Sequence, residues 1–86
     1  MNGAYRVILT PAAKRDLDRF YGTTLEQLRQ AIEQVGQQPR STGCKKLRGS
    51  AAMYRKRSGN YRILFEIDDS AHQVTIHGIV DRKHAY

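Results

Sequence analysis

The 86 residues predict an α+β domain: a small antiparallel β-sheet with an N-terminal helical hairpin packed on one face, in the order β-α-α-β-β-β. Three observations carry this expectation. Helical periodicity is confined to residues 11–35. Strand-like runs separated by short turn signals fill the second half. A chain of this size buries only roughly 60–68% of its unfolded surface, enough for one modest core, so residues 1–86 read as a single domain.

The first element is "AYRVILT", rich in β-branched and aromatic residues. Thr10-Pro11 then reads as an N-cap followed by proline at the first helical position. Ala13, Leu17 and Phe20 recur at helical spacing, and Gly22 is the expected stop. Thr23 and Glu26 have the spacing of a capping box for a second helix, with Leu25, Leu28, Ala31, Ile32 and Val35 as its apolar stripe. Gly36 to Pro39 ends it. A short strand is expected near Lys46-Leu47-Arg48. Met53 to Arg57 and Tyr61 to Ile67 form a hairpin about the "SGN" turn, and Val74 to Val80 follows the turn "DDSAHQ". Strands joined this closely must be antiparallel.

Composition narrows the function classes. With 40% hydrophobic and 27% charged residues the chain is globular. Apolar runs such as Val7-Ile8-Leu9 fall far short of the about 20 residues a membrane helix needs, and "MNGAYRVIL" does not read as a signal peptide. Cys44 is the single cysteine, which leaves no intrachain disulfide and no cysteine-rich zinc site. Three dispersed histidines without paired spacing call for no metal or cofactor. A cytoplasmic location is expected.

The net charge of +7 is unevenly placed. Lys45, Lys46, Arg48, Arg55, Lys56, Arg57 and Arg62 follow one another with no acidic residue between, whereas the first 44 residues mix six basic with four acidic side chains. Such a segment is the footprint of a phosphate-rich partner. Alternation assigns the faces: Tyr61, Ile63, Phe65 and Ile67 point to the core, while Arg62, Leu64 and Glu66 point away. With Tyr54 inward, Arg55 and Arg57 join Arg62 on the open face. Like charges on neighbouring strands oppose folding, and an anionic ligand relieves them. Edge strands also carry cations to block unwanted pairing, but three convergent arginines behind "KKLRG" favour a phosphate site.

Taken with the tail "IHGIVDRKHAY", the "KLRG" segment and the basic hairpin "YRKRSGNYR" resemble the RelE/ParE toxin superfamily, and within it the RelE-like messenger-RNA endoribonucleases. The resemblance covers essentially the whole chain. It implies the toxin of a type II toxin–antitoxin pair that cleaves mRNA in the ribosomal A site. Its implied partners are a RelB-like antitoxin in a hetero-oligomer, the ribosome and mRNA, with no membrane. Carried over by position, the family's active-site residues fall on Arg55, Arg57, Arg62, Arg82 and Tyr86, with His84 beside them. Lys45, Lys46, Arg48, Lys56 and Lys83 are the added RNA-binding cations. Two readings compete: a ParE-like inhibitor of DNA gyrase, and a non-catalytic RNA- or ribosome-binding module.

The chemistry is intelligible from the residues. Attack of a 2′-hydroxyl on the adjacent phosphorus needs a base, donors for the growing phosphate charge and an acid for the leaving oxygen. Arginine suits the middle role, because its planar fork matches phosphate. Related sequences often place lysines where this chain has Arg55 and Arg57. Arginine does not release its proton in proteins, so the base is sought in Tyr86, His84 or Lys56. Asp81 also stands where related tails have glycine or histidine, and a carboxylate there can pair with Arg82 or Lys83. His77, His72 and Cys44 read as structural or solvated residues, although alternation allows His77 to face the open sheet.

Overall fold

The computed structural model describes residues 4–40, 43–49 and 52–81. Its elements are β1 (Arg6–Leu9), α1 (Pro11–Asp18), α2 (Gly22–Gln37), β2 (Cys44–Lys46), β3 (Met53–Ser58), β4 (Tyr61–Asp68) and β5 (Gln73–Asp81). The strands form one sheet in the order β1-β5-β4-β3-β2. The expected α+β class therefore holds, with the apolar faces of both helices packed on one side of the sheet.

The sheet is mixed rather than wholly antiparallel. β2 to β5 run as an antiparallel meander, but β1 pairs parallel with β5, Val7 lying opposite Val74 and Leu9 opposite Ile76. Three reversals after the helices leave β5 running with β1, and it inserts between β1 and β4. The short strand expected near Lys46 falls slightly earlier, where Lys45 opposes Arg55 and Lys46 opposes Tyr54. Each helix leans on the strands, α1 chiefly on β5 and α2 on β3, β1 and β5, so the expected helical hairpin is realised through the sheet.

Local chemistry explains most boundaries. Thr10 caps α1 as expected, its Oγ1 accepting from the Ala13 amide at 3.1 Å, with Pro11 in the first turn. That helix stops at Asp18, before Gly22. The expected Thr23–Glu26 capping box does not form. α2 begins two residues earlier than that box would place it, at Gly22, and Tyr21 takes the cap position without a side-chain bond. Thr23 then lies inside the first turn, where its hydroxyl is not at the cap. The β3–β4 turn has two residues, and Gly59 supplies the left-handed φ of 58° that such hairpins require at their first position.

Ala13, Leu28, Ala31, Ile32 and Val35 from the helices meet Ile63, Phe65, Ile67, Val74, Ile76 and Ile79 from the sheet. Tyr5 and Val7 close the core near the end of α2, where Gly36 permits contact. A Cβ on Gly36 would lie 2.6 Å from Val7 Cγ2, and its carbonyl accepts from the Tyr5 amide at 2.7 Å. Among the described residues, no helix is long and apolar enough to cross a membrane.

Candidate functional site

Register fixes the open face of the sheet. Ile63, Phe65 and Ile67 are buried against the helices, so Arg62, Leu64 and Glu66 point the other way, as alternation expects. Arg57 is the cross-strand partner of Arg62, and Arg55 sits between Lys45 on β2 and Leu64 on β4. Lys45, Arg55, Arg57 and Arg62 therefore share one surface. Lys45, Arg55 and Arg57, with Gly43, line a hollow of about 160 Å³. Arg62 is half-buried and its Nε is shielded from solvent, which limits how far the guanidinium can swing away.

Directly opposed residues have Cβ atoms about 5 Å apart. Two like charges at that separation repel by about 1 kcal/mol in water and about 3 kcal/mol in the intermediate dielectric of a protein surface. Two such oppositions occur side by side, Lys45 with Arg55 and Arg57 with Arg62. Forked guanidinium groups bind phosphate oxygens bidentately, so an anion held here removes the repulsion and gains charge-assisted hydrogen bonds.

The other basic residues are placed differently. Lys46 and Arg48 are exposed, Lys46 sharing Tyr54's side of the strands and Arg48 lying in a turn. Lys56 is removed from the open face. Opposite Ile63 and Cys44, it points to the helix side and is only 7% exposed. It lines a separate hollow of about 280 Å³ with Gln27, Gln30 and Gln34 of α2. The period-2 rule already separates Lys56 from Arg55 and Arg57, but only the fold shows that a helix covers it. Arg82, Lys83, His84 and Tyr86 lie outside the described residues. Asp81, where β5 ends, is opposite Tyr61 and thus at the same end of the sheet as Arg57 and Arg62.

A further pair on this face was not singled out by sequence reasoning. His77 Nε2 lies 3.0 Å from Glu66 Oε1, with 38% and 47% of the side chains exposed. A register shift produces the contact: Leu64 opposes Gly78 and Phe65 opposes Ile76, leaving His77 as the extra residue of a β-bulge. Two side chains hold the bulged backbone. Thr10 Oγ1 donates to the His77 carbonyl at 3.3 Å, and Asp16 Oδ2 accepts from the Ile79 amide at 2.9 Å. The outward period of Glu66 was readable from the sequence, whereas the bulge that brings His77 to it was not.

The model for ParE toxins of type II toxin–antitoxin systems (parDE) matches residues 7–86. The chain belongs to the RelE/ParE toxin family. Among solved structures, it is similar to a chain of the RelBE2 toxin–antitoxin complex from Mycobacterium tuberculosis, with 30% identity, 92% of each chain covered and a TM-score of 0.81. It is also similar to a chain of the intact RelBE complex of E. coli, at 26% identity over 91% of this chain and 96% of that one, with a TM-score of 0.78. The isolated E. coli RelE toxin shares the fold, with a TM-score of 0.80 at 24% identity over 91% of this chain and 84% of that one. No curated protein sequence gives a match. This RelE/ParE chain is thus the toxin of a type II toxin–antitoxin system, and the first two of these similar structures are toxin–antitoxin complexes.

Proposed function

We propose that this toxin, acting as one domain over residues 1–86, is a ribosome-dependent endoribonuclease that cleaves mRNA in the A site and so blocks translation. The observation that carries the reading is the convergence of Lys45, Arg55, Arg57 and Arg62 on one open sheet face. The route needs no metal: the 2′-oxygen bonds to phosphorus, the bond to the 5′-oxygen breaks, and a 2′,3′-cyclic phosphate and a 5′-hydroxyl result. A base takes the 2′-hydroxyl proton and an acid supplies one to the leaving oxygen. Arg62 and Arg82 stabilise the phosphate charge at the transition state, Arg55 and Arg57 hold the flanking backbone, and Tyr86 and His84 carry the protons. Lys45, Lys46, Arg48 and Lys83 add backbone attraction. Lys56, facing the helices, has no part in this face. The cytoplasm is the compartment where these substrates meet the toxin, and a RelB-like antitoxin restrains it there.

The match to ParE toxins favours a second reading, inhibition of DNA gyrase on the same fold. Expression from a tight promoter followed by mapping of transcript ends separates the two. New mRNA 5′ ends at fixed codon positions, appearing only on translated messages, are the expected result. Intact transcripts with a DNA-damage response would assign the toxin to gyrase. Binding to ribosomes with growth arrest that survives both Arg62→Ala and Tyr86→Ala would make it a non-catalytic ribosome binder.

A further inference from the structure

The bulge does more than bend β5. It keeps His77 outward beside Glu66 while returning Ile79 to the core, and Thr10 and Asp16 each contribute a side chain to hold that backbone. The resulting pair lies on the same face as the arginines. Arg55 opposes Leu64 and Met53 opposes Glu66, so Arg55 and Glu66 are diagonal neighbours, roughly 7–8 Å apart at the backbone. That is the reach of one nucleoside, measured from a phosphate on the arginines to its own base. Leu64, half-buried between Arg55 and Gly78, offers an apolar seat for a ring.

We infer that Glu66, positioned by His77, is a base-reading site for guanine in single-stranded RNA whose backbone lies on Lys45, Arg55, Arg57 and Arg62. This rests on the proposal that the open face binds RNA. A carboxylate is acceptor-only, with room for about four hydrogen bonds across its two oxygens, so the bond to His77 leaves capacity for a ligand. Guanine alone presents two adjacent donors on its Watson–Crick edge, N1–H and the N2 amino group. Adenine and cytosine place a ring-nitrogen lone pair beside their amino group, and uracil flanks its N3–H with two carbonyl oxygens. Each of these lone pairs faces the carboxylate unfavourably. Recognition of splayed bases through this edge is the usual route to sequence preference in single-stranded RNA. His77 is a positioning residue, because its contact fixes the plane in which the Glu66 oxygens are offered.

The test is binding of the full-length toxin to four single-stranded RNA hexamers, five uridines with one central position varied among the four bases, followed by fluorescence anisotropy at fixed salt. The guanine hexamer should bind about tenfold more tightly than the other three, the size of one good bidentate contact. Glu66→Gln, isosteric and half-exposed, should bring the guanine hexamer down to the level of the others. His77→Ala should erode the preference, and His77→Gln, which keeps a donor toward Glu66, should restore most of it. Equal binding of all four hexamers by the wild type, or a guanine preference that survives Glu66→Gln, would overturn the base site and leave the RNA reading intact. Failure to bind any hexamer would overturn the base site as a property of the toxin alone, while the mapping of transcript ends still decides the RNA reading.

Discussion

The two ends of the sheet handle charge in opposite ways. Beyond the β4–β5 turn, Arg40 forks onto Asp69 with contacts of 3.1 and 2.9 Å, Tyr5 donates to the same carboxylate at 2.7 Å, and Asp68 accepts from Ser70 and the Ala71 amide. Arg40 also lies over the Tyr54 ring, 5.5 Å from its centroid. At the β3–β4 end, like charges stand side by side across neighbouring strands. Complementary charges at one end tie distant segments together, residues 5, 40, 54 and 69 among them. At the other end Lys45 faces Arg55 and Arg57 faces Arg62, so like charges are gathered on one surface, an arrangement suited to an anionic ligand.

If that contrast is right, substitutions at the two ends should separate function from stability. The largest effect is expected at Arg62→Ala. Removing a donor to a developing anionic charge costs about 10²–10³ in rate, so translation-dependent mRNA cleavage should fall at least about a hundredfold. The thermal midpoint should move less than cleavage does, because the loss of Arg62's own contacts is offset by the loss of a like-charge opposition with Arg57. Arg40→Ala should do the reverse, lowering the midpoint and leaving cleavage intact. A midpoint loss at Arg62→Ala that matches its loss of cleavage would make the basic end a structural feature.

How far the sequence reveals each end follows from the range of the interactions. Alternation in Tyr61 to Ile67 and in Met53 to Arg57 is local, so the facing of Arg55, Arg57 and Arg62 was legible before any fold was known. So was the cap at Thr10. The clasp was not legible: Arg40 and Asp69 are 29 residues apart, Tyr5 and Asp69 are 64 apart, and no spacing rule joins them. The parallel seat of β1 beside β5 has the same origin, since register across an insertion is chosen by packing. At the bulge, Gly78 and Ile79 are buried in succession, which period 2 forbids. The Thr23–Glu26 pattern misled for a local reason, because the helix starts two residues earlier, with Tyr21 at the cap.

A smaller and more quantitative separation comes from salt. Each cation that contacts a single-stranded backbone contributes about −0.7 to the slope of log affinity against log salt concentration. Lys45→Ala and Arg57→Ala should each flatten the slope for a uridine hexamer by about 0.7, and their combination by about twice that. Arg40→Ala should leave it unchanged, despite removing the same charge. A slope that responds equally to Arg40 and Arg57 would mean that the hexamer senses net charge only, and that the open face has no privileged role.

The smallest expected effect lies at the clasp and is read through pH. The guanidinium of Arg40, with help from the Tyr5 hydroxyl, holds the Asp69 carboxyl down at about 2, below its ordinary 3.8. Because the folded value is the lower one, the ionised carboxylate favours the fold. Its contribution is complete above about pH 4 and is lost as pH falls toward 2. Asp69 is well exposed, so water weakens the pair and the change should be a few degrees at most. Wild type should therefore lose thermal stability more steeply than Asp69→Asn between pH 4 and pH 2, with the variant already lower above that window. Parallel curves would show that the clasp, for all its short contacts, does not couple β1, the end of α2 and the β4–β5 turn through this charge.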